Sequence, residues 1–194
     1  MKPSLILMLI FLSTQSFSVA LSQDDGEGDY GKNIVSAVPM MVNNHGVGFG
    51  IYYERVLTRD YKLSFYMPVG MSFNNGESFG YAERKRAVST YAGLKYYPTS
   101  SAGSLRYAIG GAFGFNNILY DGLLNISPGG ATLTDGYSHF SMFGILVDNY
   151  LEATVYKKLS VGMNLGIGMA GSTELDYDGS EPYVLLMFKI GYRF

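Results

Sequence analysis

Cysteine is absent from this chain. Its absence excludes a disulfide framework, a thiolate metal site and a lipid-bearing cysteine. Tryptophan is absent as well, and charged residues make up only 15%, against about 25% in ordinary soluble domains. The formal net charge is −2, so no basic surface points to nucleic acid. Long apolar runs are missing too: beyond the first residues, no stretch reaches the roughly 20 apolar residues of a spanning helix. The mixture is too apolar for a disordered chain and too poor in Ala, Glu and Lys for a helical bundle. What the 194 residues do hold is 17 Tyr, 12 Phe and 25 Gly, with enough length for one domain with a core.

Residues 1–20 read as an export signal. Lys2 supplies the positive start, Leu5–Leu12 a short apolar core, and Ser18–Ala20 or Ala20–Ser22 the small residues of a cleavage site. An uncleaved anchor is the alternative, but the apolar core is too short to span. Residues 21–31, which include the acidic, glycine-rich Gln23–Gly31, read as a flexible leader. The domain proper is then 32–194.

From there the chain alternates with period two, the mark of strands. In Leu159–Ala170 one face carries Leu159, Val161, Met163, Leu165, Ile167 and Met169, and the other is small or polar throughout. Leu105–Asn116 and Lys62–Phe73 repeat the pattern. Weaker versions at Lys32–Val42, Gly46–Leu57, Arg86–Tyr97, His139–Tyr156 and Tyr183–Phe194 make eight strands of about 11–18 residues. Soluble sheets usually use five or six residues, whereas a strand crossing a bilayer needs about 9–11. Short connections (Thr58–Asp60, Pro98–Ser104, Tyr156–Lys158) gather at one end. Long stretches (Asn74–Arg84, Asn117–Tyr137, Gly171–Pro182) gather at the other, where Asn43–Gly46 is a short exception.

In hydrocarbon only helices and closed barrels satisfy every backbone group. The predicted fold class is therefore all-β, an eight-stranded antiparallel up-and-down transmembrane barrel. A Lys or Arg on the lipid face costs roughly 2–4 kcal/mol at the midplane, and this fixes the faces. Glu54, Lys95, Arg106, Lys189 and Arg193 point inward. Asp148 and Glu152 do so in the phase of the sixth strand that turns the uncharged Asn149 to lipid. Charges in a lumen need partners; the sequence supplies both signs and assigns no pairs. Inward Gly48, Gly50, Gly110, Gly114, Gly162, Gly166 and Gly168 face a lumen shared with Tyr52, Tyr66, Tyr91, Tyr97 and Tyr183. Small against large fills a narrow barrel; a pocket beside the glycine wall is the alternative. Outward Tyr53, Tyr96, Tyr107 and Tyr192 mark one interface, and Phe73 and Phe115 the other. Pro39 and Pro68 fall inside strands, although a closed barrel offers no edge for them, and this predicts a bulge at each.

With these patterns the chain resembles the small outer-membrane barrels of Gram-negative bacteria, the group that includes the membrane domain of OmpA and OmpX. The likeness covers Lys32 to Phe194. Its most specific piece is the closing row Phe188, Ile190, Tyr192 and Phe194. The resemblance implies that this row is an assembly signal read by the outer-membrane insertion machinery. It also implies residence in the bacterial outer membrane, contact with outer-membrane lipid and lipopolysaccharide, a monomer, and no cofactor.

Three further features carry possible chemistry. His139 and Ser141 resemble the His-x-Ser pair of outer-membrane lipid A deacylases. Here, however, Met142 stands where an Asn usually follows, and the pair lies early in the chain. Glu152, eleven residues from Ser141, is roughly 36 Å away along a strand, too far to orient the His. Two rim residues at the headgroup level is the preferred reading. His45 and His139 are the only histidines, too few alone for a metal. Glu174, Asp176, Asp178 and Glu181 cluster as possible cation ligands but lack the full calcium-loop pattern, so a solvated acidic loop is expected. The expected function is non-enzymatic: a barrel presenting Asn117–Tyr137 and Gly171–Pro182 to surface ligands. A lipid A-modifying enzyme and a secreted lipocalin-like barrel are the alternatives.

Overall fold

The computed structural model describes residues 31–78, 81–99, 104–127, 130–155, 158–172 and 180–194, and their side chains outside 75–85 and 120–139. The expected export signal, and the leader up to residue 30, lie outside these residues. Eight strands follow in chain order: β1 (Asn33–Asn43), β2 (Gly46–Val56), β3 (Leu63–Ser78), β4 (Tyr81–Tyr96), β5 (Leu105–Ser127), β6 (Gly130–Val155), β7 (Leu159–Ser172) and β8 (Ser180–Arg193). Each pairs antiparallel with the next, and β8 pairs back onto β1 to close a barrel.

The alternation dictates which way each strand faces, and the barrel is apolar outside. Along β7, Met163, Leu165, Ile167 and Met169 are exposed while Ser160, Gly162, Asn164 and Gly166 are buried. Phe113 on β5 stands out furthest, 72% exposed. Between Arg55 at the short-turn rim and Arg86 at the opposite rim, no described outward side chain is charged.

Two of the expected long loops are instead paired backbone. β3 and β4 continue their ladder to Ser78↔Tyr81, and β5 and β6 continue theirs to Ser127↔Gly130. Most of Asn74–Arg84 and Asn117–Tyr137 is therefore hairpin. Antiparallel neighbours extend for as long as each supplies donors to the other, and neither stretch needs an apolar face to do so.

The two prolines behave differently. At Pro39 the register slips, between Val38 and Met41 against β2 and between Ala37 and Met40 against β8. That bulge changes the inward parity. Ile34, Ser36 and Val38 are buried before it, and Met41, Asn43 and His45 after it. The bulge expected at Pro68 does not form. Tyr52↔Pro68 sits in an unbroken ladder with β2. Against β4 the register is the same on either side, Tyr66↔Gly93 and Val69↔Thr90. The ladder with β4 skips Met67 and Pro68, around the point where proline has no N–H to give.

The connections are tied by short polar side chains. The Asn44 amide donates to the Pro182 carbonyl at 2.7 Å and its oxygen accepts from Val184 N–H at 2.9 Å, which extends the β1–β8 pairing by one step. At the other end the Thr58 hydroxyl accepts from Lys62 and Leu63 N–H, both at 3.1 Å. The same hydroxyl, beside Asp60, holds that carboxyl below its usual range.

Candidate functional site

Register, not sequence spacing, brings the lumenal charges together. Glu152 on β6 lies opposite Arg106 on β5. On its other side it faces Gly162 on β7, which in turn faces Lys189 on β8. A Cβ on Gly162 would sit 2.9 Å from Glu152 Cγ and 3.1 Å from Lys189 Cε. Glycine there leaves the path by which Lys189 crosses β7 to reach Glu152.

Glu152 is the hub of the resulting cluster. It pairs with Lys95 Nζ at 2.9 Å, with Arg106 Nη2 at 3.0 Å and directly with Lys189 Nζ. Lys95 also pairs with Glu54 at 2.6 Å, and the other Glu54 oxygen accepts from Tyr97 O–H at 2.7 Å. Lys189 lies 4.0 Å from Glu54. None of these five charged residues is more than 4% exposed. Desolvating an ion costs several kcal/mol, so only this mutual pairing makes them tolerable.

Tyrosine rings complete the plug. Lys95 Nζ lies 3.9 Å from the Tyr150 ring centre, and Lys189 Nζ lies 4.1 Å from that of Tyr52, both within cation–π reach. Tyr52 stacks on Tyr66 at 5.9 Å, and Tyr66 meets Tyr150 edge-on at 5.4 Å. The Tyr66 ring crosses over Gly93, where a Cβ would fall 2.7 Å from its Cζ. The Tyr66 hydroxyl donates to Asp148, whose other oxygen accepts from Asn164 Nδ2 at 3.3 Å. Toward the hairpin end, the Tyr91 and Tyr183 hydroxyls hydrogen-bond each other at 2.5 Å, and Asn116 Oδ1, 2.9 and 3.3 Å from them, accepts the remaining proton.

The seven residues read from sequence as lumenal charges are all buried, and they fall into three places. Glu54, Lys95, Arg106, Glu152 and Lys189 form the cluster. Asp148 belongs to the tyrosine layer. Arg193 sits at the short-turn end, where its Nε donates to the Gly31 carbonyl at 2.6 Å. Tyr150, absent from the sequence-based inventory, is central. The same parity that turned Asp148 and Glu152 inward would have found it.

Phe188 is half-buried on the outer wall, and Ile190, Tyr192 and Phe194 are exposed there. The Phe194 backbone pairs with Asn33 in both directions, at 2.9 and 3.0 Å. His139 is paired with Leu119 on the β5–β6 ladder, and its side chain is outside those described. Ser141 is half-buried and accepts from Asn117 Nδ2 at 3.4 Å. Glu152, facing the lumen, is on the other side of the wall from Ser141. Glu174, Asp176 and Asp178 lie outside the described residues. Glu181 is exposed on β8, opposite Ala170.

No protein-family model matches this chain, and no curated protein matches it in sequence. Solved structures do resemble it. A major outer membrane protein from Thermus thermophilus aligns with a TM-score of 0.56 at 12% identity, over 86% of this chain and 100% of that one. OprG from Pseudomonas aeruginosa aligns at 0.53 and 11%, over 86% and 98%. Ail, the attachment invasion locus protein of Yersinia pestis, aligns at 0.53 and 11%, over 86% and 100%, in its complex with the heparin analogue sucrose octasulfate. At these identities the likeness is one of fold, that of small outer-membrane β-barrels.

Proposed function

We propose that the chain is a non-enzymatic integral protein of the bacterial outer membrane that presents its hairpins to ligands at the cell surface. One observation carries this reading: the outer wall is apolar all round, while every charged side chain described at that depth is buried and paired within. A soluble barrel exposing so continuous an apolar band would aggregate. The plugged interior argues against transport through the lumen and leaves the β3–β4 and β5–β6 hairpins as the working surface. For the lipid A deacylase alternative, Glu152 points into the lumen, on the other side of the wall from Ser141.

The test is fractionation with lipid A mass spectrometry. The chain is expected in the outer-membrane fraction, extractable only with detergent, with the lipid A acyl pattern identical with and without it. Recovery in the soluble fraction would overturn the membrane reading. Loss of an acyl chain that depends on His139 and Ser141 would overturn the non-enzymatic one.

A further inference from the structure

The outer wall is not evenly filled. Across β4, β5 and β6 it holds a groove of about 580 Å³. Ala92 and Gly111 form its floor, and Leu94, Phe113, Ile145 and Val147 rise around it. Phe113 pairs with Ala92 on one side and Ile145 on the other, and Gly111 with Leu94 and Val147, so the concavity runs across three strands.

Packing does not require a glycine at Gly111. A Cβ there meets nothing nearer than the Leu146 carbonyl oxygen at 3.8 Å. Gly93 and Gly162, by contrast, are crowded by side chains crossing the lumen. The small outward residue leaves a depression where its neighbours are large.

The same outward row of β4 leads from the groove to a positive charge. Ala92, Thr90, Val88 and Arg86 occupy alternate positions, and Arg86 is exposed. It lies level with Phe73, just beyond Val88, which is still 44% exposed in the apolar band. Arg86 also closes Arg84-Lys85-Arg86, three consecutive bases among only 14 in the chain. Six residues separate Arg86 from Ala92, about 20 Å along the strand. At a tilt of about 40° that is roughly 15 Å of depth, half the thickness of a hydrocarbon core of about 30 Å. The base therefore stands at headgroup level and the groove near the midplane.

Resting on the membrane reading above, we infer that this wall is a binding site for a phosphorylated, acylated lipid of the outer leaflet. Its phosphate lies against Arg86 and one acyl chain follows Val88 and Thr90 down into the groove. Charge complementarity selects the headgroup, and the depth of the groove matches the end of a chain hung from it. A second copy of the barrel would fill the groove without needing Arg86.

The experiment uses the full chain in mild detergent, with native mass spectrometry to count retained lipid. The probes are lipid A, dephosphorylated lipid A of the same acyl composition, and phosphatidylethanolamine. The native protein should retain lipid A at least tenfold better than either control. Gly111→Leu, which fills the groove, should lose most of the lipid A retention, Arg86→Gln should lose the preference for the phosphorylated form, and Arg86→Lys should recover most of it. Val47→Leu, on an exposed site of the distant β2 wall, should leave it unchanged. Gel mobility of unheated samples establishes that each variant is folded. Equal retention of lipid A and its dephosphorylated form overturns the inference, as does native-level retention by folded Gly111→Leu. So does a native dimer that Gly111→Leu converts to monomer. A chain that inserts but shows no lipid preference defeats this site alone. A chain soluble without detergent defeats the membrane reading and the site with it.

Discussion

Glu152→Gln should destabilise the barrel more than removal of any other member of its charge cluster. The cluster holds two acids, Glu54 and Glu152, and three bases, Lys95, Arg106 and Lys189. Neutralising Glu152 leaves Glu54 as the one acid of the described cluster against three buried bases, and Lys189 is then 4.0 Å from it. Breaking a buried pair from one side costs about 3–5 kcal/mol, roughly two to four powers of ten in the folding equilibrium. Lys95→Met removes more contacts by count but leaves two acids against two bases. Glu152 keeps Arg106 and Lys189, and Glu54 keeps the Tyr97 hydroxyl and Lys189 at 4.0 Å. Its cost should fall at or below the lower end of the same range. The chain has no Trp, so urea unfolding from lipid vesicles is best followed by far-UV circular dichroism and by gel mobility of unheated samples. A Lys95→Met variant less stable than Glu152→Gln would refute the hub. So would a Glu152→Gln variant within about 1 kcal/mol of the native chain.

Three other outcomes follow from the same geometry. Tyr107→Phe removes the hydroxyl that donates to Asn149 Oδ1 at 2.9 Å on the outer wall; leaving that oxygen bare should cost about 1–3 kcal/mol in urea unfolding, and adding Asn149→Leu should restore most of it. Deleting Pro39 removes the one extra residue of the β1 bulge, which closes the register with both β2 and β8 and leaves Met41 and Asn43 facing inward, so the folded gel band should persist. Phe194→Ala and Tyr192→Ala should slow insertion by the cell's assembly machinery. They should shift the stability of already folded protein by about 1 kcal/mol or less, because the Asn33 ladder bonds are made by backbone.

The strands and their faces were legible because a charge in hydrocarbon is costly enough to leave a clean alternation. Asn149 shows how fine that reading goes: one amide against one carboxylate set the phase of β6, and the amide is the residue that found a partner on the wall, Tyr107. Local pattern weakened in β1, read over Lys32–Val42, because the Pro39 bulge switches the alternation midway along the strand. It ran out beyond Phe73 and Asn116, where the hairpins rise past the apolar band and no longer need an apolar face to pair. The cluster was legible only as separate charges. Glu54, Lys95, Glu152 and Lys189 stand on β2, β4, β6 and β8, and which of them meet depends on cross-strand register and on glycines such as Gly162 in the strands between. The groove over Gly111 left no sequence mark beyond one small residue in an apolar row.

The central claim is that the apolar wall lies in hydrocarbon, and the missing tryptophan supplies a clean probe. Phe113→Trp places a single indole at the most exposed apolar position, level with the proposed midplane. In vesicles of brominated phospholipid its emission should be blue-shifted, strongly quenched by bromines near the ends of the acyl chains, and insensitive to aqueous acrylamide. Water-like emission quenched by acrylamide and untouched by bromine would contradict the account.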